Sequence, residues 1–292
     1  MAADPFDYAA AASWQEAVDL LREGGEDAKV IAGGQSLIPM LTLRLATPRL
    51  LVDVNGADRP GVERDDGHLR VTSVTRYVDL ERDPSVAESC PILGRAASLV
   101  GNVRVRNRGT IGGSLSHADP SAELPCVAMA LGATIRTLGP EGERSLPAAE
   151  FFQSYFTTAL EPSEVVTSVD IPVIPASAGW SFTEMKLRSS DFAVVAVAAV
   201  VELGEDGRYV GVRVAAAGVG ERPRDLAGPA AATLLGESPS EFAWAEAGRR
   251  CAEAVEPTAT VHVSGDYRRA MTAVFVARSL REATGRARGA AA

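Results

Sequence analysis

The sequence is poor in cysteine, in aromatic residues and in long apolar runs. The scarcity of cysteine argues against a metal or iron–sulfur protein, and the short apolar runs argue against a membrane-spanning one. Cys90, Cys126 and Cys251 are the only cysteines, and they are too far apart to form a CxxC pair. This spacing argues against zinc or iron–sulfur ligation within the chain. The longest apolar run, residues 192–201, is too short to cross a bilayer.

The charge balance is acidic, with a formal net charge of −9. An acidic chain has no general affinity for nucleic acid or for an anionic membrane surface. The N-terminal MAADPFDYAA lacks the basic and apolar regions of a signal peptide. We therefore expect a cytoplasmic protein that is not inserted in a membrane.

Hydrophobic periodicity and turn residues predict an α+β protein with two domains. The first segment reads as a helix capped by Ser13 and ended by Gly24-Gly25, then strands at 28–31 and 50–54. Small residues and proline in VIPASAG, residues 173–179, indicate a boundary. We predict a first domain at 1–175, with subdomains at about 1–55 and 56–175, and a second at 176–292.

The second domain is predicted to hold a small antiparallel sheet of three strands covered by helices. The strands are expected at 180–187, 194–203 and 209–219, with GEDG as a hairpin turn. The helices are expected at 224–235, 241–255 and 266–283, followed by a frayed tail at 286–292.

Two glycine segments are the main functional signal. IAGGQSL, residues 31–37, follows a predicted strand, and RGTIGGS, residues 108–114, repeats glycines beside hydroxyl groups. Bare N–H groups and hydroxyls are natural partners of phosphate oxygens. Neither segment is a Rossmann fingerprint or a P-loop, and tight turns alone would explain either one. Two such loops in one domain favour a pyrophosphate held from two sides.

Two carboxylates follow the second glycine segment. Asp119 and Glu123 are four residues apart, which would place them on one face at the start of a helix. Compensation of the helix dipole explains them structurally. A carboxylate that accepts hydrogen bonds from ribityl or sugar hydroxyls is the functional alternative.

Four motifs, in order along almost the whole chain, resemble the FAD-binding medium subunits of molybdenum hydroxylases. That family includes the carbon monoxide dehydrogenase flavoprotein and the xanthine dehydrogenase FAD subunit. The motifs are AGGQSLIPMLTLRLATP (32–48), VRNRGTIGGSLSHADPSAELP (105–125), FF with TAL and a glutamate (151–164), and YRRAM (267–271). The resemblance implies a two-subdomain α/β FAD-binding domain, like those of the PCMH and vanillyl-alcohol oxidase type, followed by a C-terminal domain with a three-stranded sheet.

The resemblance also implies where FAD binds, with the pyrophosphate between the two glycine loops. Glu123 matches a flavin-contacting carboxylate, Lys186 a basic residue near the flavin, and Phe192 an aromatic cover; Val166 is expected to line the adenine pocket. No residue of this chain is expected to be catalytic or to bind a metal. The complete expected set is Ile31, Ala32, Gly33, Gly34, Gln35, Ser36, Leu37, Gly109, Thr110, Gly112, Gly113, Ser114, Glu123, Val166, Lys186 and Phe192.

By resemblance, the protein is an electron-transfer oxidoreductase subunit of a heterotrimer. Molybdopterin is expected on a large partner subunit and 2Fe-2S clusters on a small one, with electrons passing through FAD to an external acceptor. A dimer of heterotrimers is the expected assembly. A self-contained flavin oxidoreductase and a cofactor-less assembly subunit are the alternatives.

Overall fold

Four β-sheets organise residues 4–290, which are the residues that this computed structural model describes. The first is a parallel sheet in the order β1-β3-β2. Its elements are β1 (Asp7–Ala10), α1 (Trp14–Gly24), β2 (Ala28–Ile31), α2 (Leu37–Thr42) and β3 (Leu50–Asp53). The predicted first helix and both predicted strands are confirmed.

Helix α1 begins and ends for the reasons that its sequence indicates. Ser13 Oγ accepts a hydrogen bond from the Glu16 N–H at 3.1 Å, which caps the first turn. The Glu16 carboxylate in turn accepts from the Ala12 N–H at 2.7 Å. The helix stops at Gly25, whose φ of +57° suits glycine.

The second region is built on an antiparallel sheet in the order β4-β5-β10-β6-β7. Its first elements are β4 (Val62–Asp65), β5 (His68–Thr72), α3 (Tyr77–Arg82), α4 (Pro84–Ser89), α5 (Pro91–Leu99), α6 (Val103–Arg106), α7 (Ile111–His117) and α8 (Glu123–Leu131). Then come β6 (Thr134–Gly139), β7 (Gly142–Pro147), α9 (Ala148–Phe151), the two-stranded pair β8 (Phe152–Ser154) and β9 (Thr157–Thr158), and β10 (Val165–Pro172).

The last region has a sheet in the order β11-β12-β13-β14. Its elements are β11 (Gly179–Lys186), β12 (Ala193–Leu203), β13 (Tyr209–Ala217), β14 (Arg224–Asp225), α10 (Ala227–Leu234), α11 (Glu241–Glu253) and α12 (Gly265–Ala290). The prediction of three strands is therefore corrected to four. The added strand is two exposed charged residues long, so it has no apolar alternation to reveal it.

Strand β12 lies at the centre of this last region and is buried on both faces. Ala196, Ala198 and Val200 belong to the core shared with α8, whereas Val195 and Val197 belong to the core beneath α11 and α12. This alternation is the period-2 pattern of a strand between two layers. It fixes the sheet between α8 of the second region and the C-terminal helices.

The end of the chain differs from the predicted frayed tail. Helix α12 continues to Ala290, and residues 291–292 lie outside the described range. The Arg286 guanidinium lies over the Trp180 ring, 3.8 Å from its centroid, and donates to the Trp180 carbonyl. Stacking on an aromatic side chain from another element stabilises the last turns of the helix. Within residues 4–290, no helix is long and apolar enough to cross a membrane.

Candidate functional site

The first glycine loop, defined here as residues 32–36, connects β2 to α2. Gly34 has a φ of +71°, and its carbonyl accepts from the Ile38 N–H at 3.0 Å. Gln35 Nε2 donates to the Gly33 carbonyl at 3.0 Å, which folds the amide side chain against the loop. Within residues 4–290, no hydrogen bond uses the backbone N–H groups of residues 33–36. The loop therefore has a run of donors free for an anion.

The second glycine loop, defined as residues 109–114, donates most of its N–H groups to acceptors within the protein. The Gly109 N–H donates to the Val105 carbonyl at 2.7 Å. Ile111 and Gly112 donate to the carbonyls of Thr75 and Ser73 at 3.0 and 2.9 Å.

Thr110 accepts from two further donors of this loop, whereas its own N–H has no acceptor within residues 4–290. Its hydroxyl accepts from the Gly113 N–H at 3.1 Å, and its carbonyl accepts from the Ser114 N–H at 3.0 Å. The side chain of Thr110 is buried, because it is the N-cap of α7. Gly113 is exposed and Ser114 half-buried, so the Ser114 hydroxyl is the group of this loop best placed to reach a ligand.

The two loops are in direct contact. A Cβ on Gly33 would lie 2.3 Å from the Arg108 carbonyl oxygen and 2.7 Å from the Gly109 Cα. Only glycine permits this approach. The structure therefore brings together the two predicted halves of the pyrophosphate site, although they are far apart in sequence.

Two residues that the sequence did not reveal connect the loops. Asn55 Nδ2 donates to the Ala32 carbonyl at 3.0 Å, and the Asn55 Oδ1 accepts from Arg76. The same guanidinium donates to the Arg108 carbonyl. No local motif marks Asn55 or Arg76, because their roles depend on contacts between distant segments.

Tyr77 was also missed, and it supports the second loop. A Cβ on Gly109 would lie 2.4 Å from the Tyr77 Cε2, so the ring packs directly on that glycine. Burial raises the pKa of Tyr77 to about 12, and the nearby Glu123 charge adds to this, whereas the Ser114 hydroxyl opposes it. The phenol is therefore neutral at physiological pH.

Glu123 and Lys186 meet in a buried charge cluster, named here the charge triad with Glu184. Lys186 Nζ donates to Glu123 Oε1 at 3.0 Å and to Glu184 Oε1 at 2.7 Å. It also donates to the Leu99 carbonyl at 2.6 Å, which uses all three ammonium protons. The three charged side chains are 6–8% exposed. The triad thus joins the second region to the C-terminal sheet.

Glu184 is the unusual member of the triad. Its Oε2 is buried and has no hydrogen-bond partner among the described residues. Burial raises the pKa of Glu184 to about 7, Lys186 lowers it and the charge of Glu123 raises it further. Two carboxylates sharing one ammonium in a buried site favour retention of a proton.

The prediction that Asp119 and Glu123 share a helix face is wrong. Helix α8 begins at Glu123, and Ala118 adopts a left-handed conformation with φ of +50° before it. Asp119 accepts from the Ser121 N–H at 2.8 Å in the connecting turn. Glu123 does occupy the first turn of its helix, where a carboxylate is favourable.

The other predicted site residues lie in different settings. Ile31 ends β2, and Leu37 begins α2, so they flank the first loop. Val166 is buried on β10 beside an irregularity in its pairing with β6. Phe192 is 63% exposed immediately before β12. Residues 4–290 contain no cluster of His, Cys, Asp or Glu side chains that could hold a metal ion.

Two family descriptions match this chain in succession. Residues 4–174 match the FAD-binding domain of molybdopterin dehydrogenases. Residues 180–283 match the C-terminal domain of the CO dehydrogenase flavoprotein. Together the two matches follow the predicted order of an FAD-binding domain and a C-terminal domain.

Characterised relatives align over nearly their full length. Subunit alpha of the 6-hydroxypseudooxynicotine dehydrogenase complex of Paenarthrobacter nicotinovorans is 37% identical over 97% of this chain and 96% of its own. The carbon monoxide dehydrogenase medium chain of Hydrogenophaga pseudoflava is 34% identical over 96% of this chain and 98% of its own.

Solved structures show the same fold. Quinoline 2-oxidoreductase from Pseudomonas putida 86 superposes with a TM-score of 0.93 at 37% identity, covering 99% of both chains. Carbon monoxide dehydrogenase from Hydrogenophaga pseudoflava superposes with a TM-score of 0.94 at 34% identity, covering 98% of this chain and 99% of that one.

The fold and the family matches define an FAD-binding oxidoreductase subunit. The chain belongs to the family of FAD-binding medium subunits of molybdenum hydroxylases. Its cofactor is FAD, and the family resemblance expected from the motifs is confirmed.

Proposed function

We propose that the first glycine loop binds the FAD pyrophosphate and that the second glycine loop supports it. The observation that carries this proposal is the run of free N–H groups at residues 33–36. Several N–H groups that converge on one anion form a favourable concave site. The Ser36 and Ser114 hydroxyls would add further donors from the two loops.

The remaining residues would contact the flavin and adenine ends. We assign Glu123 and Lys186 to the flavin side, Phe192 to a stacking cover and Val166 to the adenine pocket. Lys186 holds Glu123 by a 3.0 Å ion pair, so the two would act as one unit. This assignment also supports domain boundaries at 1–175 and 176–292, with the flavin held between the domains.

The chain itself performs binding and orientation rather than bond cleavage. Bound FAD supplies two-electron chemistry and also exchanges single electrons. The loops would hold the cofactor, the charge triad would set the charge on the flavin side, and the buried Tyr77 would support the second loop through Gly109. No general acid or base of this chain needs to reach a substrate.

The relatives' names support a role inside a larger enzyme. Names such as medium chain and complex subunit describe chains that work with others. We propose a cytoplasmic heterotrimer, paired into a dimer, in which a large molybdopterin subunit and a small 2Fe-2S subunit deliver electrons to FAD here. An external acceptor then receives them.

The absorption spectrum of the purified full-length chain, with and without added FAD, tests the proposal. We expect the bands of an oxidised flavin and release of FAD on denaturation. NADH turnover by the chain alone would instead favour a self-contained flavin oxidoreductase. A chain that stays colourless even when purified with its partner subunits would support the assembly-subunit alternative.

A further inference from the structure

The junction of the two glycine loops contains two neighbouring arginines, Arg76 and Arg108. Burial lowers the pKa of Arg76, and the nearby charge of Arg108 lowers it further. Within residues 4–290, neither guanidinium forms a salt bridge with a carboxylate. Two neighbouring cations without a carboxylate partner indicate a place for an anion.

The nearest acidic groups are engaged in other contacts. Asp53 accepts from the Tyr8 hydroxyl at 2.5 Å and from Asn55 Nδ2 at 2.6 Å. Asp79 accepts from the Arg76 backbone N–H at 3.3 Å rather than from its guanidinium. Both carboxylates raise the pKa of Arg76, but less than burial and Arg108 lower it.

Arg76 also lies where the free N–H groups begin. Its guanidinium donates to the Arg108 carbonyl, the same oxygen that lies 2.3 Å from the Cβ position of Gly33. Through Asn55 it is connected to the Ala32 carbonyl on the other side of that glycine. A guanidinium has five donors, and these contacts use two of them.

We propose that Arg76 is a positioning residue for FAD: with Asn55 it fixes the first loop against the second, and its charge complements the pyrophosphate. The proposal rests on the proposed function, since it needs the pyrophosphate to lie at the first loop. On this proposal, Arg76 is the residue that keeps the first glycine loop in place against the second.

The test measures the dissociation constant of FAD for the full-length chain at several salt concentrations. We expect Arg76→Gln to bind FAD about tenfold more weakly and with a smaller salt dependence, because one cation is missing. Arg76→Lys should also bind more weakly, because the planar two-point contact is lost, but should keep the salt dependence of the parent. Arg104→Gln removes the same charge from an exposed position on α6 and should behave like the parent.

Thermal unfolding of the FAD-free variants separates positioning from folding. The charge effect is supported if Arg76→Gln unfolds at the temperature of Arg76→Lys yet differs from it in salt dependence. The inference is overturned if Arg76→Gln matches the parent in both affinity and salt dependence, while the parent binds FAD normally. If the parent itself takes up no FAD, even with its partner subunits, the proposed function fails first and the inference fails with it.

Discussion

The two glycine loops have similar sequences but opposite hydrogen-bonding states. The first loop leaves the N–H groups of residues 33–36 without acceptors in the described chain, whereas the second donates nearly all of its own to the protein. The first loop can therefore donate hydrogen bonds to a ligand, whereas the second loop mainly stabilises the protein itself. Glycine with a hydroxyl neighbour predicts a phosphate site equally well for both, so the pattern alone does not separate these roles.

The glycines of the two loops are also required for different reasons. Gly112 and Gly109 make room for Ser73 and for the Tyr77 ring, which are internal supports. Gly33 lets the first loop touch the second, and Gly34 provides a left-handed turn. The comparison teaches that a conspicuous glycine can serve packing behind a site as much as approach to a ligand.

The largest expected effect comes from the point where the loops touch. Gly33→Ala would place a Cβ within 2.3–2.8 Å of backbone atoms of Arg108 and Gly109 and push the loops apart. Overpacking of about 1–3 kcal/mol corresponds to FAD binding weaker by about fivefold to 150-fold. The flavin content of the purified Gly33→Ala chain, compared with that of the parent, measures this loss of FAD binding.

Gly61→Ala is the matched control, because nothing lies within 4 Å of its Cβ position. It should retain the flavin content of the parent. Normal flavin content in Gly33→Ala would show that contact between the loops is not needed for cofactor binding.

A substitution inside the second loop should lower the stability of the FAD-free chain more than it weakens FAD binding. Gly112→Ala would place a Cβ 2.4 Å from the Ser73 Cβ and 2.8 Å from its carbonyl oxygen. We expect the free energy of unfolding of the FAD-free chain to fall by about 1–3 kcal/mol. Chemical denaturation measures it, with Gly61→Ala again as the control. An unchanged midpoint together with lost FAD would reverse the roles assigned to the two loops.

A smaller effect is expected at Glu184 of the charge triad. The pKa of Glu184 is raised to about 7 from an ordinary value of 4.5. The folded chain therefore keeps a proton that the unfolded chain loses, and the stabilisation is complete below about pH 4.5 and lost as pH rises through about 7.

Glu184→Gln replaces the neutral carboxyl by a neutral amide and should flatten this part of the stability profile. As pH rises from 5 to 8, the free energy of unfolding of the variant should increase relative to that of the parent by on the order of 1 kcal/mol. Glu205→Gln, on an exposed turn, should leave the profile unchanged. Parallel profiles for Glu184→Gln and the parent would contradict a proton held on Glu184.

The sequence predicted what depends on local pattern. The capped helix α1, the strand at Ala28–Ile31 and the long buried strand β12 follow from capping residues and apolar runs, and all are present. Strand β14 was missed because two exposed charged residues carry no periodicity. The continuation of α12 depends on Arg286 reaching Trp180, which local sequence does not show.

In the candidate site too, the sequence revealed the local motifs but not the contacts between distant segments. Glycine segments are visible as motifs, so both loops were found. Asn55, Arg76, Tyr77 and Glu184 act through contacts with residues from distant segments, and such contacts exist only after folding. The internal use of the N–H groups in the second loop was hidden because their acceptors, Ser73 and Thr75, lie far upstream.

Amide hydrogen exchange of the full-length chain, with and without FAD, tests the contrast between the loops most directly. Peptides covering residues 32–37 should exchange rapidly without FAD and become protected when it binds. Peptides covering residues 109–114 should be largely protected in both states, because all of their N–H groups except that of Thr110 already have acceptors within residues 4–290. Protection gained by residues 109–114 alone, with residues 32–37 unchanged, would contradict the assignment of the first loop to the pyrophosphate.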